Sequence, residues 1–163
     1  AEALLREALA SRRKTLGDTA RDTLNSLDQL SQVLRLRGKL DEAMAMSEEA
    51  IRLASDHRYP GQLPLSLYQI HLARTLMDLR RADDAEGLLD QAKIRLTEDP
   101  YPARDSVVEL VETYAELYLQ RHEAQPGLGF DTKAATWQRK LRAMKEDPSR
   151  PAAQVLSDTP AAK

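Results

Sequence analysis

The densest run of chemistry-bearing side chains is Asp105, Glu109, Glu112 and Glu116, followed by His122, within RDSVVELVETYAELYLQRHEA. Spacings of three and four residues place these carboxylates along one face of a helix. A hard divalent cation uses clustered carboxylates, but it also needs a ligand-bearing loop, and none accompanies them. The pattern therefore predicts a solvated or partner-facing acidic face, suited to a basic segment of another protein. His57, His71 and His122 are scattered, with no arrangement of a nucleophile and its base around them. GLGF, Gly127 to Phe130, holds a lone Gly-x-Gly without the preceding strand that a phosphate-cradling turn requires, and reads as a loop. Arg12-Arg13-Lys14 and the trio Arg35, Arg37 and Lys39 are basic. They sit at helix ends without interleaved aromatics, which does not describe a nucleic-acid interface. No catalytic, cofactor-binding or metal-ligating residue is assigned, no cofactor is expected, and the chain reads as a non-enzyme.

Composition narrows the classes further. The chain has 163 residues, a formal net charge of −2 and no cysteine, which excludes disulfide scaffolds, thiolate zinc sites and cysteine nucleophiles. A slightly acidic balance gives no general attraction to nucleic acid or to an anionic membrane. No run approaches 18 apolar residues, so no membrane span is expected, and the absence of cysteine suits a reducing cytoplasm, the expected location. Aromatics make up only 4% of the chain, leaving Leu and Ala to build most of a core large enough for one domain.

The elements that position these residues are helices in a repeat. Displaced by 42 positions, the chain matches itself: LRLRGKLDEA (Leu34 to Ala43) falls on LMDLRRADDA (Leu76 to Ala85), and Ala50-Ile51 falls on Ala92-Lys93. Apolar periodicity predicts helices over 1–16, 20–37, 40–56, 63–80, 83–97, 103–121 and 131–145. Gly17 follows the basic turn Arg12-Arg13-Lys14 as a C-terminal helix stop, and Asp18 or Thr19 is placed to cap the next helix. Gly38 lies in the first turn within a repeat, while Pro60, Gly61, Pro64, Pro100 and Pro102 mark the breaks between repeats. The third unit is lengthened inside HEAQPGLGF. Trp137 falls on the apolar face with Ala134, Leu141 and Met144, and Tyr114 and Tyr118 belong mostly to the core with hydroxyls at the rim. Residues 146–163, rich in Pro, Ala and Ser without period, are expected to be disordered.

The residues Leu27, Leu30, Ser31, Leu34, Gly38, Leu40, Ala43 and Ala50, and then Leu72, Ala73, Leu76, Ala82, Ala85 and Ala92, resemble the tetratricopeptide repeat. Leu16-Gly17 and Thr23, with the 42-residue period, resemble its kinesin-light-chain-like subclass, although the His-Pro cap and the paired asparagines of that subclass are replaced. VVELVETYAELY with KAATWQRKL (Lys133 to Leu141) resembles the repeat region of bacterial proteins in which a serine/threonine kinase domain precedes such repeats; no kinase signature occurs in these residues. The resemblance implies an all-α, right-handed α-solenoid of antiparallel helix pairs with about seven helices. It covers residues 1–145 as a half repeat (1–16) and repeats over about 20–56, 63–97 and 103–145, acting as a protein-interaction scaffold.

By the family's pattern the concave groove is lined by Asn25, Asp28, Gln29, Gln32 and Arg35, then Leu67, Ile70, His71, Arg74 and Met77, then Glu109, Glu112, Thr113 and Glu116. Arg35 and Arg74 are the natural partners for a carboxylate or phosphate, and Ile70 and Met77 would receive an apolar side chain. The lysine- and asparagine-rich clamp of the chaperone-tail-binding subclass is absent, since Asp28 and Gln32, Ile70 and Arg74, and Glu112 and Glu116 stand there. The expected partner is a protein or peptide. AEALLREAL carries an apolar stripe of Ala1, Leu4, Leu5, Ala8 and Leu9 that matches the second helix of a pair. It is expected to be half of a severed repeat whose bare face favours self-association.

Overall fold

In a computed structural model the described residues are 2–56 and 64–157. Every regular element among them is an α-helix: α1 (Glu2–Leu16), α2 (Arg21–Leu36), α3 (Leu40–Asp56), α4 (Leu65–Asp78), α5 (Ala82–Glu98), α6 (Arg104–Ala124), α7 (Phe130–Glu146) and α8 (Ala152–Ser157). The expected all-α architecture holds, with eight helices in place of about seven. Ala1, His57, Pro60 and Gly61, to which the sequence assigned roles, lie outside the described residues.

The chain divides into two compact units, Ala1–Arg81 and Ala82–Lys163. In the first, α1 packs on α2, α2 on α3 and α3 on α4, and α2 also meets α4. In the second, α5 packs on α6 and α6 on α7, with α8 against all three. Packing of sequence neighbours on one another is the arrangement of an α-solenoid.

Small residues at the repeat positions make this close packing possible. Ala43, Ala50, Ala73, Ala85 and Ala92 are wholly buried, and Ser31 turns its hydroxyl onto the Asp28 carbonyl at 2.7 Å, so its own oxygen is not stranded. Leu9, Leu24, Leu27, Leu30, Leu34 and Tyr68 fill the core of the first unit around Ala43, Ala50 and Ala54.

The turn within each repeat follows one hydrogen-bond pattern. Gly38 N–H donates to the Arg35 carbonyl at 2.9 Å and Lys39 N–H to the Leu34 carbonyl at 3.0 Å. In the second repeat Arg80 N–H donates to Met77 and Arg81 N–H to Leu76, at 3.0 and 2.8 Å. This paired closure needs a left-handed residue at its centre, supplied by Gly38 at φ 73° and, without glycine, by Arg80 at φ 62°.

Two expectations are corrected. Neither Asp18 nor Thr19 caps α2: the N-cap is Ala20, with no side-chain hydrogen bond, and Asp18 instead faces Arg13 at 3.4 Å. The α1 stripe is buried in part: Leu9 is buried and Leu5 partly so, while Leu4 is 70% exposed. The segment expected to be disordered contains α8, whose Val155 and Leu156 are buried, since two adjacent aliphatic side chains find an apolar surface.

Candidate interaction surface

The groove-facing positions of the first unit lie on α2 and α4, and the structure joins them into a ladder. The Tyr68 hydroxyl donates to Asn25 Oδ1 at 2.8 Å, His71 Nδ1 meets Asp28 Oδ1 at 2.8 Å, and Arg35 Nη1 donates to Asp78 Oδ2 at 2.8 Å. Each rung joins residues 43 apart, one more than the sequence period, because a side chain reaches the neighbour beyond its repeat equivalent. Gln32 Nε2 donates along α2 to the other Asp28 oxygen at 3.0 Å. A carboxylate only accepts, so the ring hydrogen of His71 sits on Nδ1.

Asp28 and His71, expected at the groove surface, are 5% and 6% exposed and belong to the packed interior. Ile70 and Met77 are corrected likewise: at 0% and 3% exposure they are core residues, and neither can receive a ligand's side chain without rearrangement. Their apolar character makes burial their stable place. Asn25, Gln32, Arg35, Leu67 and Arg74 are half-buried and Gln29 is exposed, so these form the accessible part of the row. Burial, reinforced by the nearby Asp28 charge, pushes the Tyr68 phenol above the ordinary tyrosine range.

In the second unit Glu109 and Glu112 on α6 are half-buried and Glu116 is exposed. Thr113 is buried and donates its hydroxyl to the Glu109 carbonyl at 2.6 Å, so its expected place at the groove is corrected as well. Among the described residues no three His, Asp or Glu side chains gather as metal ligands.

Sequence reasoning missed a network between α5 and α6. Tyr114 donates its hydroxyl to Asp90 and Tyr118 to Glu86, both at 2.5 Å, and Arg121 pairs with Asp83 and with Glu86. The signal was present: two tyrosines four residues apart on α6 match two acids four apart on α5. Burial first, then the bonded carboxylates, raise both phenols above the usual range. Trp137 stacks on Tyr114 with centroids 4.1 Å apart, and Tyr118 stacks near Phe130 at 6.2 Å. Lys140 lies 5.1 Å from the Trp137 ring centroid and Lys133 4.9 Å from that of Tyr118. The expected seating of Trp137 with Ala134 and Met144 in the core holds, since all three are buried.

A second missed cluster anchors α1. Glu2 accepts from Arg6 at 3.0 Å, from Arg37 at 3.0 Å and from Lys39 at 3.0 and 3.2 Å. These bonds, from Lys39 foremost and then Arg6, hold its carboxyl at about 2 instead of the ordinary 4.5. Beside it a cleft of about 620 Å³ is lined by Arg6, Arg13 and Lys14 with Leu9, Leu30 and Met46. Glu42 at 2.6 Å from Arg6 and Glu49 at 2.8 Å from Arg13 neutralise most of its charge.

No helix among the described residues is long and apolar enough to cross a membrane. A comparison with curated proteins finds no match to this chain. The family model for the tetratricopeptide repeat does match, over residues 1–56, the segment that forms α1, α2 and α3. Helix pairing, buried small residues and the Gly38 turn agree with that match, so residues 1–56 are similar to the tetratricopeptide repeat, a unit that generally mediates protein–protein interaction.

Proposed function

We propose that this chain is a non-catalytic interaction scaffold that docks a peptide or a partner's helix along the first helices of its repeats. The observation that carries the reading is the row on α2 and α4, where Gln29, Gln32, Arg35, Leu67 and Arg74 stay accessible above a ladder of paired side chains. Pairing fixes the row in place before any ligand arrives, which lowers the ordering cost of binding. Arg35 already holds a carboxylate at 2.8 Å, that of Asp78, and a peptide's acidic group would take the same geometry. On α6, Glu109, Glu112 and Glu116 suit a basic stretch of a partner. The exposed Leu4 and Leu16 of α1 support self-association as an additional mode.

The finer assignment is to the kinesin-light-chain-like subclass and to a bacterial, cytoplasmic signalling protein; the alternative is a regulatory or structural appendage of a serine/threonine protein kinase, with no ligand of its own. These readings are supported by Leu16-Gly17 and Thr23, whose hydroxyl donates to the Gly17 carbonyl at 2.8 Å, and by the run from Val107 to Leu141. The test is affinity capture with mass-spectrometric identification, then titration calorimetry of the identified partner against wild type, R35A/R74A and E112A. A drop of about tenfold or more for the arginine pair is expected, the loss of one charge-assisted contact. Unchanged affinity sinks the assignment to α2 and α4, and the absence of any specific partner favours the appendage reading.

A further inference from the structure

A six-residue helix is far too short to hold itself in water, so α8 is helical only because it is docked. It rests against α5, α6 and α7 with Val155 and Leu156 buried. Its last turn is held by Lys140, whose Nζ donates to the Val155 carbonyl at 2.8 Å and to the Leu156 carbonyl at 3.1 Å. The approach to it is held the same way: Arg104 on α6 donates to the carbonyls of Met144 at 2.7 Å and Arg150 at 3.0 Å. The Asp147 carboxylate folds the intervening turn by accepting from Ser149 N–H at 3.0 Å and from the Ser149 hydroxyl at 2.5 Å.

Two features of this seat matter. Lys140 grips backbone carbonyls of α8, which any peptide offers, and among the described residues the fully buried side chains of α8 are two adjacent aliphatics. The features of α8 that the seat engages most closely are thus a short helical turn and a Val-Leu type pair, with the half-buried Ala152 and Ala153 beside them. We infer that the surface of α5, α6 and α7 is a second docking site, filled by α8 in cis, that accepts a short helical segment of a partner protein carrying two adjacent aliphatic side chains. This site belongs to the second unit alone and does not depend on the row on α2 and α4. Joined by only Asp147 to Pro151, α8 competes at a high local concentration, so an outside segment binds well only when α8 is weakened or displaced.

Trp137 is the only tryptophan in the chain and lies 5.1 Å from the Lys140 ammonium that caps α8, which makes it a reporter of the seat. The probe is the acetylated peptide RPAAQVLS, residues 150–157, which has no tryptophan of its own. Added to the full chain carrying V155A/L156A, it is expected to shift Trp137 emission saturably, back toward the wild-type spectrum. Wild type should need about tenfold or more peptide for the same change, the measure of the cis advantage. A probe with aspartate at both aliphatic positions should do nothing. Where the alanine pair does not keep the wild-type far-ultraviolet spectrum, P148G/P151G carries the test, since it loosens the tether and leaves every docking side chain in place. No saturable shift in the folded variant, or equal response in variant and wild type, overturns the inference. So does a concentration-dependent dimer of wild type that V155A/L156A abolishes, because it would give the seat to a second copy of the chain.

Discussion

Asp28 separates a structural role from a ligand-binding one. Its two oxygens accept from His71 at 2.8 Å and from Gln32 at 3.0 Å, and both it and His71 are nearly inaccessible to water. Asp28→Ala removes both acceptors. A hydrogen bond to a charged group contributes about 1.5–3 kcal/mol. Gln32 is half-buried and regains water, whereas His71 Nδ1 loses a partner where water does not reach, so the total should be about 2–4 kcal/mol. With a urea dependence of roughly 2 kcal/mol per molar, the unfolding midpoint followed by far-ultraviolet circular dichroism should fall by about 1–2 M. Asp28→Asn keeps one carbonyl oxygen for His71 and should cost only about 1 kcal/mol. The double-mutant cycle D28A, H71A and D28A/H71A should return a coupling of about 1.5–3 kcal/mol. A midpoint shift for D28A below about 0.3 M, less than 1 kcal/mol by the same slope, would refute the buried-ladder account. Loss of partner binding at unchanged stability would restore Asp28 to the ligand-contacting set.

Further expectations come from the caps and titrating groups. Glu2 has its carboxyl held at about 2 against an ordinary 4.5, so its contribution is complete above pH 4.5 and is lost as pH falls toward 2; thermal melts should decline more steeply over that window in wild type than in E2Q, and parallel declines would discount the cluster. Arg80 occupies the left-handed position that Gly38 fills in the preceding turn, so R80G should raise stability by about 1 kcal/mol and G38A lower it by at least as much in urea titrations; a loss on R80G would contradict the turn analysis. The phenols of Tyr68, Tyr114 and Tyr118 are raised by burial, so the folded state binds their protons longer than the unfolded chain and stability falls as pH rises past 10. In an ultraviolet difference titration these three should ionise together with unfolding, and Y114F should remove one of them; a phenol that titrates ordinarily in folded protein would contradict its burial.

Much of the fold is local chemistry and was readable. Helix limits fall within a few residues of those expected, because Gly17, Gly38 and the prolines act on their own turns. The alanines at repeat positions are buried as the pattern demands. Errors arose where the deciding partner was distant or was another part of the same element. The Asp18 side chain was free to cap α2 by sequence, but Arg13 takes it. Residues 152–157 have no period to detect over six positions, and their helix exists only through contact with α5, α6 and α7.

The candidate surface failed in a more instructive way. A repeat pattern locates equivalent positions, and from equivalence the sequence assigned Asp28, Ile70, His71 and Met77 to the groove. Contact is not equivalence. Asn25, Asp28 and Arg35 meet residues 43 positions on, one past the repeat register, and what stands at that offset decides whether a polar side chain is spent inside the fold. For Asp28 the residue there is histidine, so the charge turns inward; Gln29 has no such rung and stays at the surface. Comparing each groove position with the residue one beyond its repeat equivalent therefore finds the rungs, and burial then separates them: the Asp28–His71 rung is closed to water, whereas the Arg35–Asp78 rung stays partly exposed. The α5–α6 network obeys the same logic within a helix pair, where the four-residue spacing of Glu86 and Asp90 answers that of Tyr114 and Tyr118. A polar residue on such a solenoid is lost to a partner protein when a neighbouring helix places its complement within reach and buries both, as with Asp28 and His71; the half-exposed Arg35 can exchange the Asp78 carboxylate for a partner's.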